Sequence, residues 1–330
     1  MYARAGGESS EIVDSALGAA EDGLMGERGE PGRVFVVRPG ALGDGVATLP
    51  VLESLAAGAP GARVGVVGPP VFRLAVECGL ASEHLAFDDA RLLGLFAEGG
   101  SSAVFGDCAL CILYGREADA QLAASLRRSG VARALFWPSW PEPGRHIVDH
   151  LLGAAEAAGF GAATRVPRLV PRAAWFEAAR AFLASAGIRD EFAAIHPGSG
   201  GRAKRWPAER FVELAARLGR PVVWLLGPAE SEEGRLRAMG RGIGVVAEGL
   251  PLPTLAGLLA SCQVYVGNDS GVSHLAAAVG APTVALFGPT DPAVWAPRGP
   301  RVEILGGPGE GGWGAVTVDR VAAAARELAR

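Results

Sequence analysis

Residues 264–292 read VYVGNDSGVSHLAAAVGAPTVALFGPTDP. The run 264–267 is short, β-branched or aromatic, and bounded by turn residues, which predicts a buried strand. Asn268, Asp269, Ser270 and Gly271 form a turn signal, with Ser270 a good N-cap. Residues 272–279 have helical composition, and Gly280 follows as a C-cap. Pro282 opens a second apolar strand at 283–287. That strand runs into Gly288-Pro289-Thr290-Asp291-Pro292, too rich in proline to extend either element. The stretch is one βαβ unit.

A tight turn between strand and helix leaves backbone N–H groups free at the helix start, beyond the strand's carboxyl end. With the helix dipole behind them they favour an anion, most often phosphate. His274 lies about one turn past Ser270, placed to lean towards the same spot. Ligands of open parallel sheets bind there. Taken alone, the stretch is equally compatible with a packing unit that has a capped helix and a satisfied histidine.

Outward from this unit the same alternation continues. Strands are predicted at 33–37, 64–67, 85–87, 109–113 and 134–136, with helices at 46–57, 71–78, 92–97, 119–129 and 146–158. Two prolines in 165–171 interrupt the pattern and mark a linker. It restarts with strands at 192–195, 221–226 and 245–246, and helices at 173–185, 207–218, 230–239, 255–259 and 318–328. This predicts α/β layers on parallel sheets. The expected organisation is an acidic tail at 1–32, an N-terminal domain at 33–166, a linker at 167–172 and a C-terminal domain at 173–330 with a terminal helix. Two such halves place a cleft between the carboxyl ends of two sheets, and such clefts are common ligand sites.

The chain has 330 residues, 49% hydrophobic and 20% charged, with a formal net charge of −4. That length accommodates two cores. The charge excludes an overall basic field for nucleic acid. No apolar run reaches the roughly 18 residues that span a bilayer. Residues 1–32 hold seven acids against two arginines and no apolar stretch of the secretory kind. A mobile tail with a short helix at 12–20 is expected, and a cytoplasmic protein with at most peripheral contact to the inner face of the membrane. Cys108 and Cys111 form a CxxC inside an apolar strand-like run. With no second CxxC and no ligand spacing around Cys78 or Cys262, all four are expected to be packing residues rather than redox or metal ligands.

Two further loops carry candidate chemistry. The first, 38–45, is neither a P-loop nor a dinucleotide fingerprint. The next strand ends in Gly68-Pro69-Pro70, without an acid to hold a ribose. The loop presents Asp44 between Gly43 and Gly45, which leave room for an acceptor to approach. Asp44 there suits a general base, or it caps the helix. The second loop, 196–205, carries Ser199, three glycines, and Lys204 and Arg205 ahead of a helix. Cations are unfavourable at a helix N-terminus, so a ligand anion explains them, or they are two solvated charges. Glu230, at a third strand end, binds a ribose diol or caps its helix. No acidic cluster has the spacing of a metal site.

Three stretches together resemble glycosyltransferase family 9, the ADP-heptose:lipopolysaccharide heptosyltransferases: RPGALGDGVATLPVLESL (38–55), HPGSGGRAKRWPAERFVELA (196–215) and GNDSGVSHLAAAVGAPTVALFGPTDP (267–292). WLLGPAE (224–230) and RHIVDHLL (145–152) also fit. The resemblance implies a GT-B fold: two Rossmann-like, doubly wound parallel-sheet domains facing a central cleft, acceptor on the N-terminal one and nucleotide-sugar on the C-terminal one. It implies an inverting, metal-independent, cofactor-free transfer of heptose from ADP-heptose to a hydroxyl of a lipopolysaccharide-core or other cell-envelope glycan or glycolipid. By position, Asp44 matches the general base, Lys204 the phosphate-binding lysine and Ser199 a hydroxyl contact in the same loop. Glu230 matches the nucleotide-ribose contact. Asp269, Ser270, Gly271 and His274 match the pyrophosphate- and sugar-binding turn. The tail, Gly45 in place of a larger apolar residue, and the scattering of Arg63, Arg116, Arg133 and Arg145 depart from the family pattern. A non-catalytic nucleotide-sugar-binding protein and a GT-B sugar-nucleotide epimerase are the rival readings.

Overall fold

The computed structural model describes residues 32–115, 119–189, 191–227 and 244–330. The expected tail with its helix at 12–20, the expected helix at 230–239, Arg116 and Glu230 lie outside the described residues.

The first sheet contains β1 (Arg33–Val37), β2 (Arg63–Val67), β3 (Glu83–Leu85), β4 (Cys108–Gly115) and β5 (Val131–Pro138). Their order is β3-β2-β1-β4-β5, and every pairing is parallel. The second sheet contains β6 (Ala193–His196), β7 (Val222–Leu226), β8 (Val245–Glu248), β9 (Val264–Asn268), β10 (Thr283–Phe287) and β11 (Val302–Gly306). Their order is β11-β10-β9-β6-β7-β8, again all parallel. β6, β7, β9 and β10 are buried along their whole length. Strands covered on both faces need no polar alternation, which is why they read as continuous apolar runs.

The helices are α1 (Leu42–Gly58), α2 (Val71–Glu77), α3 (Ala120–Arg128), α4 (Ile147–Ala157), α5 (Ala173–Ser185), α6 (Ala208–Arg217), α7 (Leu252–Ser261), α8 (Gly271–Ala278), α9 (Pro292–Trp295) and α10 (Val318–Leu328). Three expectations change. The helix expected at 92–97 is a 3₁₀ stretch, Ala90–Phe96, started by the Asp89 carboxylate on the Arg91 N–H. Strand β11 was not expected: among the described residues it pairs with β10 alone, and its first three residues are half-exposed, so its apolar signal is weak. The helix after β1 begins at Leu42 rather than at 46, so 42–45 is a first turn and not a loop.

Each sheet reverses its strand order once, between β1 and β4 and between β6 and β9. Such a reversal opens a crevice at the carboxyl ends of the strands. Arg38, His196 and Asp269 all sit at those ends. The two halves share a core: one apolar cluster runs from Val34, Leu49 and Leu52 to Trp175, Leu259 and Leu275. The linker is packed as well, with the Leu169 N–H donating to the Ala278 carbonyl at 2.9 Å. The CxxC sits in the interior of the first half. A register shift in β4 inserts one residue between Cys108 and Leu110, so Cys108 and Cys111 join the same cluster. Burial pushes the Cys108 thiol up to about 12, so it is not a thiolate at neutral pH.

Candidate active site

The turn after β1 builds its own carboxylate cradle. Asp44 is the third residue of α1 and turns back to accept the Ala41 N–H on Oδ2 at 2.8 Å. An acid at this position satisfies an otherwise orphaned donor and lies with the helix dipole. Arg38 donates from Nη2 to Oδ1 at 2.7 Å. Its side chain is 2% exposed, against 32% for Asp44. The guanidinium lies over the Tyr114 ring, 5.6 Å from its centroid, and its Nε is buried without a partner. Burial lowers Arg38 from its usual range, and the Asp44 charge opposes that shift. Gly40 has φ +133°, and a Cβ there would stand 2.5 Å from Asp44 Oδ2. Glycine is what admits the carboxylate to its cradle. Each Asp44 oxygen keeps a lone-pair site beyond its one bond.

The second loop is assembled from distant segments. The side-chain amide of Asn268 donates to the Pro197 carbonyl at 2.7 Å and its Oδ1 accepts the Trp206 N–H at 3.0 Å, clamping both ends of the loop. Ser199 donates to the Asp269 carbonyl at 2.7 Å. Arg205 donates to the Ser199 carbonyl at 3.1 and 3.2 Å. Trp313 lies against Gly288 and donates to the Ala203 carbonyl at 3.0 Å. Lys204 ends a 3₁₀ turn, Arg202–Lys204, and its Nζ donates to Asp269 Oδ2 at 2.8 Å. Thr290 donates to the same oxygen at 2.8 Å.

The two assemblies meet at the start of α8. A Cβ on Gly43 would stand 3.3 Å from Gly271 Cα and 3.4 Å from the His274 ring. Ser270 occupies the N-cap position, but its hydroxyl does not cap the helix. That hydroxyl lies 3.3 Å from His196 Nδ1 and 3.3 Å from the Ser273 hydroxyl. The first N–H groups of α8 are therefore left to another acceptor. His274 is buried, which lowers its pKa. The Asp269 and Asp44 charges oppose that shift, and Lys204 reinforces it. Base, lysine and helix start are all within electrostatic reach of one imidazole.

Several expected roles change on this geometry. Gly43 and Gly45 are each required by packing inside the chain. The space beside Gly43 is filled by Gly271 and His274, and that beside Gly45 by Val71 and Pro69. Ser199 is buried and its proton is committed to a carbonyl. Asp269 accepts from Lys204 and Thr290 and holds both in place. The unfavourable cation ahead of α6 is explained internally by the Lys204–Asp269 pair. Asp44, Lys204, Gly271 and His274 converge, while Glu230 lies outside the described residues. Sequence reasoning missed Arg38 and Thr290. Each lies within three residues of the carboxyl end of a strand, β1 or β10, and a rule that inspects every strand end would have found both. Among the described residues, no group of three or more His, Cys, Asp or Glu is placed to hold a metal ion, and no helix is long and apolar enough to cross a membrane.

Two all-parallel Rossmann-like sheets with their carboxyl ends turned to a common site define the GT-B class. A glycosyl transferase family 9 structure from Veillonella parvula superimposes with a TM-score of 0.75 at 22% identity, covering 90% of this chain and 97% of that one. Escherichia coli ADP-heptose LPS heptosyltransferase II superimposes with a TM-score of 0.71 at 21% identity, covering 90% and 98%. The sequence pattern of glycosyltransferase family 9 (heptosyltransferase) matches residues 120–312. The chain belongs to that family. Lipopolysaccharide heptosyltransferase 3 of Escherichia coli K12 is 27% identical over 179 residues, 52% of this chain and 52% of the relative. The chain thus spans about half the length of the curated relatives it matches.

Proposed function

We propose that the protein is an inverting, metal-independent glycosyltransferase that moves heptose from ADP-heptose to a hydroxyl of a lipopolysaccharide-core or related envelope glycan. The acceptor oxygen attacks the anomeric carbon as the bond from that carbon to the diphosphate oxygen breaks. The hydroxyl proton goes to Asp44, and the electron pair leaves with ADP. Arg38 is a positioning residue that holds the Asp44 carboxylate from behind. The departing diphosphate is stabilised by Lys204 and the first N–H groups of α8. His274 is neutral while buried. A diphosphate beside it favours the imidazolium and turns its second ring nitrogen into a donor. Glu230 holds the nucleotide ribose.

The observation that carries this reading is the contact of Gly43 with Gly271 and His274. It brings a carboxylate from one half and an uncapped helix start from the other to one point. A base and a leaving-group site on opposite walls are what a single displacement with inversion requires.

The test is incubation with ADP-heptose and a panel of other nucleotide-sugars, with envelope glycans as acceptors and excess EDTA present. Mass spectrometry should detect a product heavier by one heptose, and NMR an inverted anomeric centre. Hydrolysis or epimerisation without transfer, retained configuration, or activity that returns only on adding Mg²⁺ or Mn²⁺ would each count against the proposal.

A further inference from the structure

The stretch RHIVDHLL at 145–152 contributes to neither loop of the site. It opens α4, in the first half of the molecule, and two of its side chains reach the second half. His146 caps α4 by accepting the Val148 N–H on Nδ1 at 3.2 Å. Its proton therefore sits on Nε2, which donates to the Ala296 carbonyl at 3.0 Å. Less than one turn along α4, Asp149 receives Arg298 as a fork, Nη1 on Oδ1 at 2.9 Å and Nη2 on Oδ2 at 2.6 Å. Arg298 also donates to the Arg165 carbonyl at 3.3 Å, and the Arg165 guanidinium closes on Asp149 Oδ1 at 2.7 Å. One residue before Ala296, Trp295 meets Trp140 of the first half edge to face, with centroids 5.4 Å apart.

Elsewhere the two halves meet through a largely apolar seam. α1 lies along α8, and α2 packs on α7. Gly271 closes on Leu42 and Gly43 at the cleft end of that seam. Beside the linker, Trp175 donates to Glu77 and Cys78 to the Val170 carbonyl. Apolar contact is non-directional, so it resists separation more than a change of angle. Two halves of one chain move relative to each other unless something directional holds them. A bidentate Arg–carboxylate pair has that directionality, because sliding or turning breaks one of its two bonds. Asp149 and Arg298 are each 27% exposed, so the pair is only partly screened by solvent. The angle matters at the site. Asp44 comes from the first half, and Lys204 and the start of α8 come from the second.

We propose that Asp149 and Arg298, with His146, are positioning residues. Their clasp between α4 and residues 296–298 fixes the angle between the two halves, and with it the placement of Asp44 opposite the start of α8. The consequence for turnover rests on the glycosyltransferase reading; the effect on the angle does not. Losing the fork lets the halves turn about the α1–α8 seam. The base then shifts relative to the leaving group, while every donor to the diphosphate stays within the second half.

The test compares the full chain with Arg298→Met, Asp149→Asn, their double variant and Arg298→Lys. Arg217→Met is the control, because its ion pairs to Glu213 and Asp319 lie within the second half. Small-angle scattering of the unliganded chain should show a larger radius of gyration in Arg298→Met and Asp149→Asn, and none in the control. Turnover should fall by about 2- to 30-fold in each, the range of coupling through packed networks, with ADP affinity in calorimetry unchanged. The double variant should lose no more than the worse single one, since both remove the same pair. Arg298→Lys keeps the charge without the fork and should recover part of the turnover. Should Arg298→Met not fold, the near-isosteric Asp149→Asn and Arg298→Lys give the same readouts. Wild-type scattering and turnover in the folded variants would overturn the proposal. So would a parallel loss of ADP affinity, which would make the pair a support of the second half alone. A wild-type chain inactive towards every donor would remove the glycosyltransferase reading, while scattering still decides whether the clasp sets the angle.

Discussion

The turns that follow β1 and β6 occupy the same topological position in the two sheets, yet they are built in opposite ways. The first is local. Arg38, Gly40, Ala41 and Asp44 make their own cradle within seven residues, and both hydrogen bonds that hold the Asp44 carboxylate lie inside that span. The second is held by residues 62 to 110 positions away: Asn268, Asp269 and Trp313. The difference matters for function. A base must be rigid before a substrate arrives, and a helix first turn supplies that at low cost. A diphosphate site must gather donors from several strand ends, and only long-range contacts do so.

The largest effect should come from the local side. Asp44→Asn keeps the Ala41 bond and removes the base, so turnover should drop by roughly 10²–10⁴ while ADP affinity stays within a few-fold. Single-turnover kinetics with calorimetry check this; near-normal turnover would reduce Asp44 to a helix cap.

Lys204→Ala probes the long-range side. A charge-assisted contact contributes about 1.5–3 kcal/mol, so ADP should bind roughly 10- to 150-fold more weakly. The unliganded protein should also melt lower, because Asp269, at 8% exposure, is left with Thr290 alone. Equal ADP affinity in calorimetry would place the phosphate site elsewhere.

Gly40→Ala sharpens the contrast. Its φ of +133° is strained for alanine, and the new Cβ meets the Asp44 carboxylate. Stability should fall by about 1–3 kcal/mol, with turnover reduced and ADP binding intact. A loss of ADP binding of the same size would mean that the two turns are not independent.

The smallest effect per residue is expected from acid, on His196 of the second side and on His146 at the start of α4. Burial lowers His196 from 6.5 to about 4, and burial with the Arg298 charge does the same to His146. Between those values the unfolded chain binds the proton and the folded one does not. Their stability is therefore fully present above pH 6.5 and is lost as pH falls towards 4, at up to about 1.4 kcal/mol per histidine per unit. Melting temperatures at pH 7.5 and 5.5 should show the decline, and His196→Gln should flatten it. A melting temperature that is constant or rises over this interval would mean the two rings are protonated in the folded state.

Much of this architecture is legible without coordinates. β-branched runs between glycines and prolines mark β1, β9 and β10 to within a residue. The apolar pairs Ile147/Leu151 and Val148/Leu152 mark α4. Ser270 and Gly280 bracket α8. These signals survive because strand and helix periodicity span only a few residues. The reading fails where burial is partial, as in β11, and where a local bond competes with the expected loop, as when Asp44 draws the start of α1 back to Leu42.

The candidate site divides along the same line. Its residues can be named from sequence because strand ends and glycine turns mark where ligands approach a parallel sheet. What each residue does there was decided by tertiary contacts. Lys204 meets Asp269 across 65 positions. Ser199 spends its hydroxyl on a carbonyl 70 positions away. Gly43 makes room for Gly271. A side chain's donors and acceptors are claimed by whatever the fold brings within about 3 Å. Local pattern cannot encode that distance between segments so far apart in the chain.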